Sequence, residues 1–167
     1  ELFKNRVVIP FTGSYEDLRP VLYPELTHVF MFDIIYGGLV ESVIRQAYSN
    51  PVPLWFVEGL AEYVSRGWDS EAEMILRDLT LSDAIVPLQY LWGGYLVYKE
   101  GQSALCFIAT TYGPEKIEET VKTLARTHNL ERALMEATGL TTVKLSKEWE
   151  LSLQRRYWPE VAGRDRG

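Results

Sequence analysis

One imidazole and three carboxylates stand out, because their spacing can bring them to a single point. His28 and Glu25 lie in the run Tyr23–Pro24–Glu25–Leu26–Thr27–His28–Val29–Phe30. Further on, Trp55–Phe56–Val57–Glu58–Gly59–Leu60–Ala61–Glu62–Tyr63 sets Glu58 and Glu62 four residues apart. Residues at i and i+4 share one face of a helix. Gly59 and Ala61 lie between the carboxylates and permit close packing against another helix. An imidazole and a carboxylate are both zinc donors, and a carboxylate can complete a three-ligand catalytic site that leaves one position for water. A second carboxylate one turn on can hold a ligating histidine in its tautomer.

A helix that offers two imidazoles to one metal does so in the pattern His-Glu-x-x-His, with the glutamate acting as general base toward the metal-bound water. Glu25, Leu26, Thr27 and His28 fit the last four places, and Pro24 stands in the first. Proline has no lone pair to give a metal. Only His28 and Glu58 then remain as donors, short of the usual three. The other histidine, His128, sits in a Thr127–His128–Asn129 turn and reads as a surface residue rather than a replacement ligand. Pro24 also lacks the N–H that would reach the carbonyl of Pro20, a defect that costs about 3 kcal/mol inside a helix. The helix is therefore expected to start at or near Pro24, or to kink there.

Together the two segments resemble the zinc helix and the downstream glutamate helix of gluzincins, the peptidase-MA-like zinc metallopeptidases. Members of that family read like HELTH followed by W-x-x-E-G-x-A-E-Y. The resemblance spans roughly residues 6–126 and fits the last helices loosely. It implies a zinc ion bound by His28 and Glu58, Glu25 as general base, and Glu62 as the carboxylate behind a ligand. Tyr98 or Tyr95 would be the phenol that stabilises an oxyanion, although both also read as packing residues. It implies a peptide or protein substrate and an extracytoplasmic bacterial setting, fused to a propeller of repeats. With Pro24 in the first ligand place, the expectation is a degenerate metal site, with zinc absent or weakly held and peptide hydrolysis lost.

The elements that must carry these residues are mostly helices, and the expected class is α+β, mainly α. Arg6–Val7–Val8–Ile9–Pro10–Phe11 reads as a short N-terminal strand. Ser14 followed by Asp17 is a helix-capping signal, and Glu25–Ile35 has apolar faces supplied by Leu26, Val29, Phe30 and Phe32. Asn50–Pro51–Val52–Pro53 breaks the chain. Helices are then expected over Leu54–Arg66, Ser70–Asp78 with Ser70 as cap, Gly94–Tyr112, Pro114–Thr127, Asn129–Thr138 and Thr142–Tyr157, with Ser82–Gln89 as loop. Ile117, Val121 and Leu124 form the apolar stripe of one helix, and Leu145, Trp149 and Leu153 that of the last.

Composition sets the bounds. A chain of 167 residues with 47% hydrophobic and 24% charged residues is one domain of ordinary globular make-up. It begins at Glu1 just before a strand-like run, and so reads as a piece of a longer protein. The net charge of −6 leaves no dominant basic patch for a nucleic-acid backbone. The one basic cluster, Arg155, Arg156, Arg164 and Arg166, reads as a solvated helix end and tail. No apolar run is long enough to span a membrane. The single cysteine, Cys106, lies in an apolar run and reads as core. Oligomeric state is left open.

Three functional readings follow. The first is the peptidase lineage, in which Pro24 marks either natural loss of the metal or an altered residue in an active line. The second is a binding module on the same fold, holding an extended peptide beside the Val7–Phe11 strand. The third is an unrelated helical domain, in which His28 and Glu58 would lie more than ~10 Å apart, since zinc donors share a centre within about 2.0–2.3 Å of each.

Overall fold

A computed structural model of the chain describes residues 2–3, 6–7, 13–36 and 52–162. These residues are mainly helical, with seven α-helices among them: α1 Tyr15–Tyr36, α2 Leu54–Arg66, α3 Ser70–Leu81, α4 Leu96–Tyr112, α5 Glu115–Thr127, α6 Leu130–Thr138 and α7 Thr142–Ala162. A single 3-10 turn, Leu88–Tyr90, interrupts the stretch expected to be loop. Leu2–Phe3 pairs antiparallel with Arg6–Val7 over two residues. The rest of the expected N-terminal strand, 8–11, lies outside the described residues, as do the tail arginines Arg164 and Arg166. No helix among the described residues is long and apolar enough to cross a membrane.

The first helix departs from the expected start at Pro24. It neither begins at Pro24 nor stops there, but runs from Tyr15 through both prolines to Tyr36. Ser14 opens it, its Oγ accepting the N–H of Glu16 at 3.2 Å, a side-chain cap for a donor with no partner in the helix. The energy that overrides the two missing proline N–H groups is tertiary. Met31 and Ile35 are buried, and α1 packs against α2 and α5. With Pro24 and His28 these two fall at i, i+4, i+7 and i+11, a single stripe of the helix. Phe30, expected on an apolar face, is largely exposed, and Phe32 is half-buried against the core.

The centre of the fold is the contact of α2 with α4. It is a glycine-on-glycine crossing. A methyl group added at Gly101 would fall on the Trp55 carbonyl oxygen and within 2.9 Å of the Gly59 Cα. One added at Gly59 would meet the Gly101 backbone. No other residue type lets two backbones come so near. Trp55 and Phe56, packed edge to face, are fully buried beside this crossing. On the far side α7 buries Leu145, Trp149, Leu153 and Tyr157, the expected stripe continued by one turn. Trp149 donates its indole N–H to Ser103 Oγ of α4 at 3.0 Å. Ser146 Oγ accepts the backbone N–H of Leu88 at 3.0 Å, tying the 3-10 turn to α7.

Helix ends follow local chemistry. Gly67 closes α2 at a φ of 63°, donating to the Tyr63 carbonyl. The cap of α3 is Asp69 rather than Ser70: its extended backbone aims the carboxylate at Ala72 N, 2.8 Å away. Asn129 caps α6 in the same way, onto Arg132 N. Cys106 is half-buried rather than core. It lines a cavity of about 530 Å³ with Trp68, Phe107 and Trp149, and burial pushes its thiol up to about 11.

Candidate functional site

His28 and Glu58 come from helices separated by a long stretch of chain, and the fold brings them together. His28 Nε2 stands 3.2 Å from Glu58 Oε2, with side chains 15% and 18% exposed. The stripe that buries Met31 and Ile35 turns His28 toward α2, and the glycine crossing fixes α2 from behind. His28 Nδ1 is buried and has no hydrogen-bond partner among the described residues. The contact is an ion pair when the imidazole is protonated.

Tyr98, in the first turn of α4, joins this pair. Its phenol is pushed above the usual range by burial first, then by the carboxylates of Glu58, Glu62 and Glu25, and by a hydrogen bond with Glu58. Glu25, one residue after Pro24 and half-buried, contributes its charge to that shift from α1. His28 and Glu58 thus meet between α1 and α2, and the charges of Glu58 and Glu25 are felt at Tyr98 on α4. Thr27 donates instead to the Tyr23 carbonyl, a bond within its own helix.

Glu62 goes elsewhere. It does not reach His28; its partners are cations. Lys99 Nζ donates to Glu62 Oε2 at 2.7 Å, and Arg66 Nε lies 3.6 Å from the same oxygen. Lys99 is only 2% exposed and also faces Glu71 at 3.1 Å and Asp69 at 3.7 Å. Burial alone would lower its pKa, but the hydrogen bonds to Glu62 and Glu71 and the nearby charges raise it, so the ammonium keeps its proton. A cation taken out of water needs such compensation. Asp69 in turn is held low, against the effect of burial, by the Ala72 N–H and by Lys99. Tyr95 donates its hydroxyl to Glu71 Oε1 at 2.6 Å, which raises the phenol.

This second cluster was not legible from spacing. One signal was present: Lys99 and Glu100 are charges inside the apolar run that starts at Leu96. A buried charge must find a partner, but nothing in the sequence says that the partner of Lys99 is Glu62. Tyr95 is also mostly exposed rather than packed inside.

His28 and Glu58 are one imidazole and one carboxylate. Pro24, one turn before His28 on the same stripe, can supply nothing, and Glu62 is turned onto Lys99. Among the described residues no group of three His, Cys, Asp or Glu side chains is placed to hold a metal ion. His128 is the left-handed C-cap residue of α5, and it lines a different cavity, of about 280 Å³, with Val52, Pro53 and Glu131. Comparison with protein-family models, with curated proteins and with solved structures finds no match to this chain.

Proposed function

We propose that the domain is of gluzincin lineage and retains the peptide-facing corner of a zinc metallopeptidase without its full metal site, so that it no longer hydrolyses peptide bonds. The observation that carries this reading is the 3.2 Å separation of His28 Nε2 and Glu58 Oε2. Two tetrahedral zinc donors with bonds of about 2.0–2.1 Å stand roughly 3.3–3.4 Å apart. The pair thus has the spacing of two ligands of one ion, with Pro24 where a third would project. The charge of Glu25 felt at Tyr98 is consistent with a former base and phenol. In this reading Glu25 lacks the metal-bound water, lowered in pKa, on which a zinc peptidase's base acts. What remains in this reading is a set of acid and phenol groups of the kind that could hold a peptide.

Metal content tests the reading. Pro24→His is expected to bind about one zinc ion per chain, measured by plasma mass spectrometry and by competition with a chromogenic chelator. That zinc should be lost in Pro24→His combined with His28→Ala. The unaltered chain should hold far less. No gain of zinc on Pro24→His in a folded protein, or a full complement bound through His28 in the unaltered chain, overturns it. Peptidase activity gained with the zinc would mean that Pro24 is the one lesion in an otherwise intact site.

A further inference from the structure

The cavity of about 530 Å³ that Cys106 lines draws its walls from α2, α4, α7 and Trp68, and neither His28 nor Glu58 borders it. Three of its walls are aromatic rings, and each is held in place by the protein itself. Trp149 donates its indole N–H to Ser103 Oγ at 3.0 Å. Trp68 donates to Glu73 Oε2 at 2.7 Å, with the Arg156 guanidinium 5.5 Å from the centre of its ring. Phe107 packs edge to face on Tyr112, with centroids 6.1 Å apart. Rings fixed in advance spare a ligand the cost of ordering them.

Between the rings lie polar groups with bonding capacity to spare. A hydroxyl can donate once and accept twice. Ser103, only 3% exposed, accepts from Trp149, but no described residue accepts its own proton. Tyr63 lines the same cavity, and its hydroxyl has no hydrogen-bond partner among the described residues. Burial pushes both the Tyr63 phenol and the Cys106 thiol above their usual ranges, so both stay neutral. Arg156 is the one charged side chain among the described residues lining the cavity, and Glu73 already accepts from it. Ser103 and Trp149 are buried whereas Thr110, Thr111 and Arg156 are exposed, so the spare hydroxyl proton lies at the deep end and the charge at the mouth. Aromatic walls with a few placed polar groups are the usual make-up of a small-molecule site, and the volume falls in the usual range.

We propose that this cavity binds a neutral, flat, fused-ring small molecule bearing a carbonyl oxygen, its rings against Trp68, Phe107 and Trp149 and its oxygen accepting from Ser103. An aliphatic acid suits the cavity less well. Its chain forgoes the stacking that aromatic walls offer, and its carboxylate would have to displace Glu73 from Arg156. The cavity shares no residue with the His28–Glu58 site, so the zinc-lineage reading has no bearing on it.

Cys106 is the only cysteine of the chain, so the rate of its alkylation by N-ethylmaleimide, followed by mass spectrometry, reports on this cavity. 2-Quinolone, a flat bicyclic amide, is expected to slow that reaction saturably, with half its effect at a concentration on the order of 0.1–1 mM. Octanoate, of similar size, should leave the rate unchanged over the same range. Ser103→Ala should weaken the protection about fivefold and Phe107→Leu about threefold to tenfold, each checked for folding by circular dichroism. No slowing up to the solubility limit of 2-quinolone overturns the proposal, as does equal slowing by octanoate. So does protection that persists undiminished in the folded variants. Phe107→Leu leaves the Ser103–Trp149 bond intact and decides the matter if Ser103→Ala does not fold.

Discussion

Lys99 Nζ lies 2.7 Å from Glu62 Oε2 in the interior, and Glu62 follows Glu58 by one helical turn. The buried ion pair thus backs onto the corner that holds His28. Removing one member of such a pair leaves the other charge buried without compensation, at a cost of about 3–5 kcal/mol. Lys99→Met should therefore lower stability by that order in urea unfolding. Adding Glu62→Gln to Lys99→Met should recover part of the loss, because the most buried carboxylate that faced Lys99 is then neutral, while Asp69 and Glu71 remain charged. Losses that simply add in the double variant would show that the two groups are not coupled.

Glu100 predicts a pH dependence of stability. It is fully buried, with one oxygen accepting the Val86 N–H at 2.9 Å and the other without a partner among the described residues. Burial pushes its carboxyl up from 4.5 to about 7, against the Val86 bond. The folded state thus binds a proton more tightly than the unfolded chain. This contribution to stability is present in full below about pH 4.5 and is lost as pH rises to about 7, amounting to roughly 3 kcal/mol. Glu100→Gln should flatten the dependence between those limits. A slope that persists in the variant would assign it to other groups.

The Gly59–Gly101 crossing predicts intolerance of a single methyl group. Gly101→Ala places a carbon on the Trp55 carbonyl, a backbone atom that cannot swing aside. A loss of about 1–3 kcal/mol or more is expected, whereas Ala at an ordinary helical glycine stabilises by roughly 0.5–1 kcal/mol. Thermal unfolding of the variant gives the sign directly.

Pro24 sits deep within α1, nine residues after Tyr15. Pro24→Ala restores a donor for the Pro20 carbonyl and removes the ring. Stability should rise by about 1–3 kcal/mol. An unchanged midpoint would mean that the helix bends at this point and has already relieved the strain.

The sequence revealed those features that depend on local periodicity or on punctuation. Leu54–Arg66 has the boundaries read from Pro53 and Gly67, and Leu145, Trp149 and Leu153 lie on the buried stripe of α7 as their spacing requires. Local rules failed where tertiary packing outweighed them. Two prolines argued against a continuous first helix, yet the burial of Met31 and Ile35 holds it together. Pro159 likewise lies inside α7, which runs past the expected end at Tyr157. At the site, the i, i+4 spacing of Glu58 and Glu62 was legible, but their different partners were not. Pairing of Glu62 with Lys99 depends on how α2 crosses α4, and that geometry is written only in the coincidence of two glycines.

That crossing also divides the corner into a fixed part and a variable part. Glu58 and Tyr98 ride on two helices locked backbone to backbone, so neither can be re-aimed without breaking the centre of the protein. Pro24, Glu25 and His28 all belong to one helix that leans on this frame through a narrow apolar edge. Substitutions that retool the corner, whether by chance or by design, will therefore collect on α1, with the opposite wall serving as an unchanging template.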